Sequence, residues 1–354
     1  MMAATEREGK KMTHHRNDTL EILKLAASYM VVFIHVLFYG NVGAAADALA
    51  RFAVPFFFII SGFYSYGITP ERVKKRIGNI AQLILLTVVL YLGRELLHFF
   101  AAGDMQGMVS YFGVYAEPVN LVKLVVFNAP VYTMHLWYLL AMLYVYILYF
   151  LAVVWSVPEK WIFTGGGLLL VLHLLLGEGL SVLGIVAPVT LIRNFALMGI
   201  PFFAMGLLIR KYSCKVSGIS GRILMAALLA GAAETLLSRG FFGKNELYLG
   251  SVLMAVSLMA FSLKHAQTQY PKAVRLLAGC STYIYILHIL VSTQMLSLYE
   301  HLGVDYPASV TMQMIHPLLV CAVSTVLALG IGKVSAVWRK DRKPTEKSTA
   351  EADL

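Results

Sequence analysis

Residues 20–37 read LEILKLAASYMVVFIHVL, an apolar run that nevertheless contains Glu21, Lys24 and His35. A helix needs about 20 mostly apolar residues to cross a bilayer. We predict a first span over about 22–40, because this run is too long for a signal-peptide core and lacks a small-x-small cleavage site. Nine further apolar runs predict more spans, giving an all-α, polytopic helix bundle of about ten transmembrane helices. They are 49–69, 79–100, 135–155, 161–177, 191–209, 222–238, 246–264, 276–297 and 310–337.

The composition excludes a water-soluble protein. Of 354 residues, 59% are hydrophobic and 14% are charged, with a mean hydropathy of +0.73. A soluble domain averages about 45–50% apolar and about 25% charged residues. The three cysteines, Cys214, Cys280 and Cys321, have neither metal-ligand spacing nor a disulfide pattern, and no zinc or nucleotide motif is present, so we expect no metal site.

The net charge of +10 is explained by membrane topology rather than by nucleic-acid binding. With the N-terminus inside, 21 of the 29 Lys and Arg residues fall in segments predicted to be cytoplasmic, and five fall outside. This bias follows the positive-inside rule and places both termini in the cytoplasm. The domain division is therefore a tail at 1–19, a membrane domain at 20–337 and a charged tail at 338–354. Residues 101–134 are predicted to be an outside loop with an amphipathic piece near 119–127.

Ionisable residues inside spans are functional candidates because they are costly to insert. Lys24 and His35 are eleven residues apart, which places them on one helical face about 16 Å apart along the axis. Glu21 is three residues before Lys24 and can pair with it. The alternative is that Lys24 extends to the interface and that His35 is a packing residue.

Further candidates lie at the ends of later spans. After the second span, the basic cluster at 72–76 fits either the phosphates of an anionic cosubstrate or anionic lipid. A polar stripe in the ninth span (Ser281, Tyr285, His288, Ser292) is expected to face the bundle interior. His173 and His316 are isolated and are expected to be packing histidines. The remaining candidates, near the outer ends of the third and fourth spans, are Arg94, His98, His135 and Trp137.

Five segments together resemble the membrane acyltransferase-3 family over about residues 16–300. They are RNDTLEILKLAASYMVVFIH, VPFFFIISGF, VKKRIGNI, HLWYLLAMLYVY and STYIYILHILV, in the family's order. Two positions depart from the family pattern: Lys24 stands where Arg is usual, and Asn79 stands where the basic loop often has a second Arg after Arg76. Lys supplies charge but not a bidentate fork.

The resemblance implies an integral membrane O-acyltransferase of the bacterial plasma membrane. Such an enzyme moves an acyl group, usually acetyl, from acyl-CoA to a hydroxyl of a cell-envelope glycan or lipid-linked saccharide, with no bound cofactor and no nucleic-acid partner. On this reading His35 and Glu21 are catalytic, with His35 acting as general base or helping to relay the acyl group across, and Glu21 orienting or neutralising Lys24. The donor phosphates would lie near Lys24, Arg72, Lys75 and Arg76, and the acceptor side near Arg94, His98, His135, Trp137, Tyr285 and His288.

A transporter remains the alternative. The same polar bundle could carry a small amino acid such as serine, or an envelope saccharide, without making a bond. Nothing in the sequence shows the internal repeat with paired broken helices that many transporters have.

Overall fold

The computed structural model describes residues 17–130 and 134–341, and within these ranges the secondary structure is entirely helical. The first helices are α1 (Asp18–His35), α2 (Gly40–Ala50), α3 (Ala53–Phe63), α4 (Pro70–Ala102), α5 (Met105–Ala116), α6 (Pro118–Phe127), α7 (Trp137–Val154) and α8 (Glu159–Leu174). The others are α9 (Leu180–Val182), α10 (Val189–Ile192), α11 (Ile200–Lys211), α12 (Ser213–Ser217), α13 (Gly221–Phe242), α14 (Leu249–Lys264), α15 (Lys272–Ala278), α16 (Ser281–His301) and α17 (Val310–Asp341).

The prediction of an all-α membrane helix bundle is confirmed, whereas the count of ten spans is not. In the described part of the chain, seven helical segments are long and apolar enough to cross a membrane. They are Gly40–Phe63, Pro70–Ala102, Trp137–Val154, Glu159–Val182, Gly221–Phe242, Ser281–His301 and Val310–Gly332. The predicted orientation of the termini stays a prediction.

The other three predicted spans are helical but differ from these seven for identifiable reasons. Helix α1 has 18 residues and carries Asp18, Glu21 and Lys24 in its first two turns. Helices α11 and α14 have only 12 and 16 residues, although a π-helical turn at Phe195–Gly199 precedes α11 and lengthens it. Polar content in the first case and length in the others therefore separate these three helices from simple lipid-facing spans.

The centre of the bundle is the short helix α3, which packs against α11, α14 and α1. Two glycines permit the close approach of α3 and α11: a Cβ at Gly62 would clash with the carbonyl oxygen of Phe203, and one at Gly206 with that of Ile59. Small residues at such crossings let helix backbones approach closely in membranes. The SGF segment of the sequence is thus a packing point as well as a family signature.

Local sequence signals define several helix boundaries. The Asn17 side chain accepts a hydrogen bond from the Leu20 N–H and so caps α1. Pro70 begins α4, and Gly103 ends it in the left-handed conformation. The region 101–134, predicted as a loop with one amphipathic piece, instead holds two helices, α5 and α6. Helix α17 reaches Asp341, so the first residues of the predicted charged tail at 338–354 are helical, whereas residues 342–354 lie outside the described part.

Candidate functional site

Three histidines from three helical segments meet in the bundle. His35 ends α1, His135 lies in the short 3-10 turn before α7, and His288 lies in α16. Their ring centroids are 5.4 Å apart for His35 and His288, 5.7 Å for His135 and His288, and 6.3 Å for His35 and His135. The structure therefore brings together the histidines of the first, fourth and ninth predicted spans.

Hydrogen bonding fixes the protonation pattern of His288. Its Nδ1 lies 2.7 Å from the Tyr285 carbonyl oxygen and 3.2 Å from that of Ile284. Since a carbonyl only accepts, Nδ1 must carry a proton, and Nε2 of the neutral ring is then a free acceptor. This Nε2 is buried without a hydrogen-bond partner among the described residues, and the same holds for Nε2 of His135. The cluster thus presents unused polar atoms, which is uncommon for buried groups.

Two tyrosines hold His135, the second member of this cluster, in place. The Tyr285 hydroxyl donates to the His135 carbonyl oxygen at 2.6 Å. The Tyr91 ring packs on His135 at 4.8 Å, and its hydroxyl donates to the Ile286 carbonyl oxygen at 2.9 Å. As predicted, the stripe of Ser281, Tyr285, His288 and Ser292 on α16 is buried. His135 and Tyr285 were both predicted on the acceptor side. His135 is a member of the histidine cluster, and Tyr285 hydrogen-bonds to it.

A cavity of about 150 Å³ adjoins His135. Its wall includes Arg94, Glu95, Tyr111, Tyr115 and Thr293. Arg94 forms an ion pair with Glu95, so this wall is polar without a net charge. His98 is one turn further along α4, where it is exposed and does not line the cavity. Of the predicted pair on the third span, only Arg94 therefore reaches the site.

At the inner end of the bundle, the end predicted to face the cytoplasm, Lys24 and Glu21 form the expected pair, with Nζ and Oε1 3.1 Å apart. The Tyr64 side chain is close by: burial and the charge of Glu21 raise the pKa of its hydroxyl, while Arg210 opposes them. The guanidinium of Arg210 lies 5.1 Å from the centre of the Phe63 ring. Arg210 is thus a cation at this end that the sequence patterns did not single out.

The basic cluster after α3 divides into one anchored residue and exposed neighbours. Arg76 donates to the Ser65 hydroxyl at 2.8 Å and to the Tyr64 carbonyl oxygen at 2.7 Å. The Tyr149 hydroxyl also donates to the Ser65 carbonyl oxygen, at 2.7 Å. Arg72 and Lys75 are exposed. The predicted donor-binding residues therefore share an end of the bundle, but only Arg76 is held rigidly.

An ion network that the sequence patterns missed lies at the opposite end of the bundle, the end predicted to face outward. Arg51 is 5% exposed and binds Asp47 Oδ1 at 2.5 Å and Glu246 Oε2 at 2.7 Å. Two further cations approach the same carboxylates at 3.6 Å: Arg193 reaches Glu246, and Lys244 reaches Asp47. The network joins the end of α2 to the segments before α11 and α14. His35 lies within electrostatic range of both Arg51 and Arg193.

Glu246 is ionised in this network. Burial acts to raise the pKa of its carboxyl group, but Arg51 and Arg193 outweigh burial and hold the pKa below its usual range. A carboxylate between two guanidinium groups is favoured in its charged form. The segment before α14 is therefore attached to the bundle by charge.

Trp137 lies between the histidine cluster and this network. Its ring is 6% exposed, and the Arg193 guanidinium carbon lies 5.9 Å from its centre. Asn128 links Trp137 to the segment that follows Arg193. Its Nδ2 donates to the Trp137 carbonyl oxygen at 3.1 Å, and its Oδ1 accepts from the Phe195 N–H at 2.8 Å. Arg193 covers part of the Trp137 ring, so contact of this ring with an acceptor, as its predicted place on the acceptor side implies, requires Arg193 to move or to share the ligand.

A signal for the missed residues was present in the charge distribution. The positive-inside rule leaves five cations at predicted outer positions, and three of them, Arg51, Arg193 and Lys244, form the ion network. A cation on the predicted outer side departs from this rule, so it has another reason to be there. Asp47 lies one turn before Arg51, but the other pairings of the network join residues far apart in the sequence and could not be predicted from it.

The packing histidines behave as predicted. His316 contacts the Ser292 hydroxyl at 3.0 Å, and His173 Nδ1 lies 2.9 Å from the Leu197 carbonyl oxygen. Within the described ranges, no group of three or more His, Cys, Asp or Glu side chains is arranged to hold a metal ion.

Comparisons with known proteins agree with this architecture. An amino-acid racemase of Enterococcus faecalis is 28% identical over 137 residues, which cover 35% of this chain and 18% of the racemase. The chain thus matches less than a fifth of that protein's length. No solved structure matches the chain significantly. A family model described as an acyltransferase domain matches residues 17–333, nearly the whole described chain, and so includes the helices that bring His35, His135 and His288 together. On that match, the chain belongs to the membrane acyltransferase-3 family.

Proposed function

We propose that this protein is an O-acyltransferase of the bacterial plasma membrane that moves an acyl group, acetyl in the first instance, from acyl-CoA to a hydroxyl of a cell-surface glycan or lipid-linked saccharide. The observation that carries the proposal is the contact of His35 with His288, whose Nε2 is a free acceptor. A neutral imidazole can accept a proton from a hydroxyl and return it to the leaving group, so it is suited to move a proton during acyl transfer.

In the proposed reaction, His35 takes the proton of the acceptor hydroxyl while the hydroxyl oxygen attacks the thioester carbonyl carbon. A C–O bond forms, the C–S bond breaks, and the leaving thiolate takes the proton back from His35. His288 acts as a positioning residue that accepts the N–H of His35 and so orients the other ring nitrogen, which takes the proton of the hydroxyl. Such hydrogen bonds are often long without substrate and shorten when it binds.

The two ends of the bundle fit the two substrates. Acyl-CoA approaches the inner end, where Lys24, Arg76 and Arg210 supply positive charge for its phosphates. The acceptor approaches through the polar cavity beside His135. The thioester end of acyl-CoA then has to reach His35, about 16 Å along α1 from Lys24, the distance that eleven helical residues span.

The test is release of free CoA thiol by the purified protein given acetyl-CoA and a hydroxylated acceptor. We expect His35→Ala to abolish acceptor-dependent thiol release. The matched control is His98→Ala, which removes an exposed histidine outside the cavity. Wild-type turnover by His35→Ala at equal amounts of folded protein would refute the catalytic assignment.

A second candidate is the transport of a small amino acid such as serine; the partial match to a protein that acts on amino acids is the observation that favours this class of cargo. Reconstituted vesicles separate the two. Uptake of labelled serine without thioester consumption supports transport, whereas thiol release that requires an acceptor supports the transferase.

A further inference from the structure

The cations of the outer ion network do not share its carboxylates equally. Arg51 takes both short contacts, at 2.5 Å to Asp47 and 2.7 Å to Glu246. Arg193 and Lys244 are left with contacts of 3.6 Å. Arg51 therefore has partners for its charge, while Arg193 has only a loose one.

Arg193 has N–H donors that no described residue uses. It forms no hydrogen bond with any residue that the structure describes, and its closest carboxylate contact uses Nε. Its side chain is 16% exposed, so most of the side chain is removed from water. A guanidinium presents five N–H donors in a planar fork that matches a carboxylate or phosphate. The terminal nitrogens of Arg193 are thus available to a ligand.

The surroundings of Arg193 place such a ligand beside the histidine cluster. Arg193 and Trp137 together line a small cavity of about 20 Å³, which has room for one water-sized group such as a single anion oxygen. Trp137 is two residues after His135, and His35 lies within electrostatic range of Arg193. Asn128 fixes the distance between the Trp137 and Arg193 segments through its two hydrogen bonds.

The charge balance favours an anion over a neutral group. The network contains three cations, Arg51, Arg193 and Lys244, and two carboxylates, Asp47 and Glu246. One added negative charge would balance it. Charge pairing is stronger in a partly buried site than in water, so the preference for an anionic over a neutral ligand is appreciable.

We infer, on the basis of the proposed function, that the acceptor carries a carboxylate or a phosphate and that Arg193 beside Trp137 binds this group. The acceptor class is then an acidic saccharide or a phosphorylated one, rather than a neutral sugar. Arg193 sets specificity, and His35 performs the proton transfer.

Binding can be measured without turnover by using Trp137 as the reporter. In a protein with its other three tryptophans replaced by Phe, the fluorescence of Trp137 is titrated with glucuronate, glucose 6-phosphate and glucose. We expect saturable changes with one or both anionic probes and none with glucose, and the stronger anion identifies the carboxylate or the phosphate. Equal responses to glucose and to both anions, or no response to any of the three, would overturn the inference.

Variants locate the effect. Arg193→Gln should weaken anion binding about tenfold or more, as expected for loss of a charge-assisted hydrogen bond, and Arg193→Lys should recover part of the loss. The matched control is Lys123→Gln, which removes an exposed cation from the outer end of the bundle. Equal weakening by Lys123→Gln would assign the effect to general surface charge and contradict a site at Arg193.

Thiol release keeps this inference separate from the proposed function. Thiol release with glucose as readily as with the anionic sugars would support the transferase and refute the anion preference. Saturable binding of glucuronate without thiol release by any acceptor would leave the anion site standing and refute the transferase.

Discussion

The ring of His288 lies 5.4 Å from that of His35, although the two residues lie near opposite ends of the chain. Nε2 of His288 is free to accept because its Nδ1 donates to backbone carbonyl oxygens of its own helix. This contact depends on the packing of α16 against α1. It makes His288 the residue best placed to orient His35.

We expect His288→Phe to lower the rate of acyl transfer by about 100-fold or more, within the range usual for loss of proton-transfer assistance. The change keeps the size of the ring but removes the acceptor. The measurement is the rate of thiol release per folded protein. His173→Phe is the matched control, because His173 is equally buried, bonds a backbone carbonyl and has an unpartnered Nε2, yet has no ring contact with the cluster among the described residues. Similar losses in both variants would indicate a general packing effect.

The stability of the protein should depend on the ionisation of Glu246. Arg51 and Arg193 hold its pKa below the ordinary value, so its charged form stabilises the folded state. This contribution is complete above the unfolded-state pKa of about 4.3 and is lost as the pH falls through the lower folded-state pKa. Thermal unfolding in detergent between about pH 3 and pH 7 measures the effect.

Glu246→Gln should remove that part of the pH dependence and destabilise the protein near neutral pH. Removing one partner of a buried ion pair typically costs about 3–5 kcal/mol. The control is Glu159→Gln, which breaks the exposed pair with Lys211 and should change the unfolding midpoint little. An unchanged midpoint in Glu246→Gln at pH 7 would argue against the ion network as a structural anchor.

Arg76→Lys tests the donor end of the proposed reaction. Lysine keeps the charge but cannot reproduce the fork that contacts the Ser65 hydroxyl and the Tyr64 carbonyl oxygen. We expect the KM for acetyl-CoA to rise several-fold, with a smaller effect on the KM for the acceptor. Arg72→Lys, at an exposed position of the same cluster, should leave both values near those of the wild type. An equal rise in both variants would mean that bulk charge, not the anchored Arg76, governs donor binding.

Gly62→Ala and Gly206→Ala should each lower the unfolding midpoint and the yield of folded protein. In either variant the added Cβ meets a backbone oxygen of the facing helix, so α3 and α11 must move apart. Gly93→Ala is the matched control, since a Cβ at that position of α4 meets no atom within 4 Å. Alanine there is expected to be neutral or stabilising by up to about 1 kcal/mol, because it favours the helix. Tolerance of alanine at both Gly62 and Gly206 would contradict the close approach of the two helices.

Much of the fold was predictable because the hydrophobic pattern is local. Each of the ten apolar runs contains a helix, and the pairing of Lys24 with Glu21 follows from their spacing along α1. The number of spans was not predictable in the same way. Helix α1 carries polar residues that a simple lipid-facing span would not, and α11 and α14 are too short, so apolar runs alone overstate the count.

The site was predictable only residue by residue. Sequence patterns selected His35, His135 and His288 as separate candidates, but they could not show that the three rings meet or that His98 stays outside. Contacts between distant segments depend on which helix faces pack together, and one sequence does not record that choice. The same reason hid the pairing of Arg51 with Glu246.

The sequence by itself determined a helical membrane protein, its family and the polar residues placed within its apolar runs, because hydropathy, charge bias and short motifs are properties of adjacent residues. Only the tertiary structure decided which of those residues act together. It joined the three histidines through α1, α7 and α16, anchored Arg76 but not Arg72, and left Arg193 beside Trp137 with donors to spare. These outcomes follow from helix packing, which brings together atoms that the chain order keeps far apart.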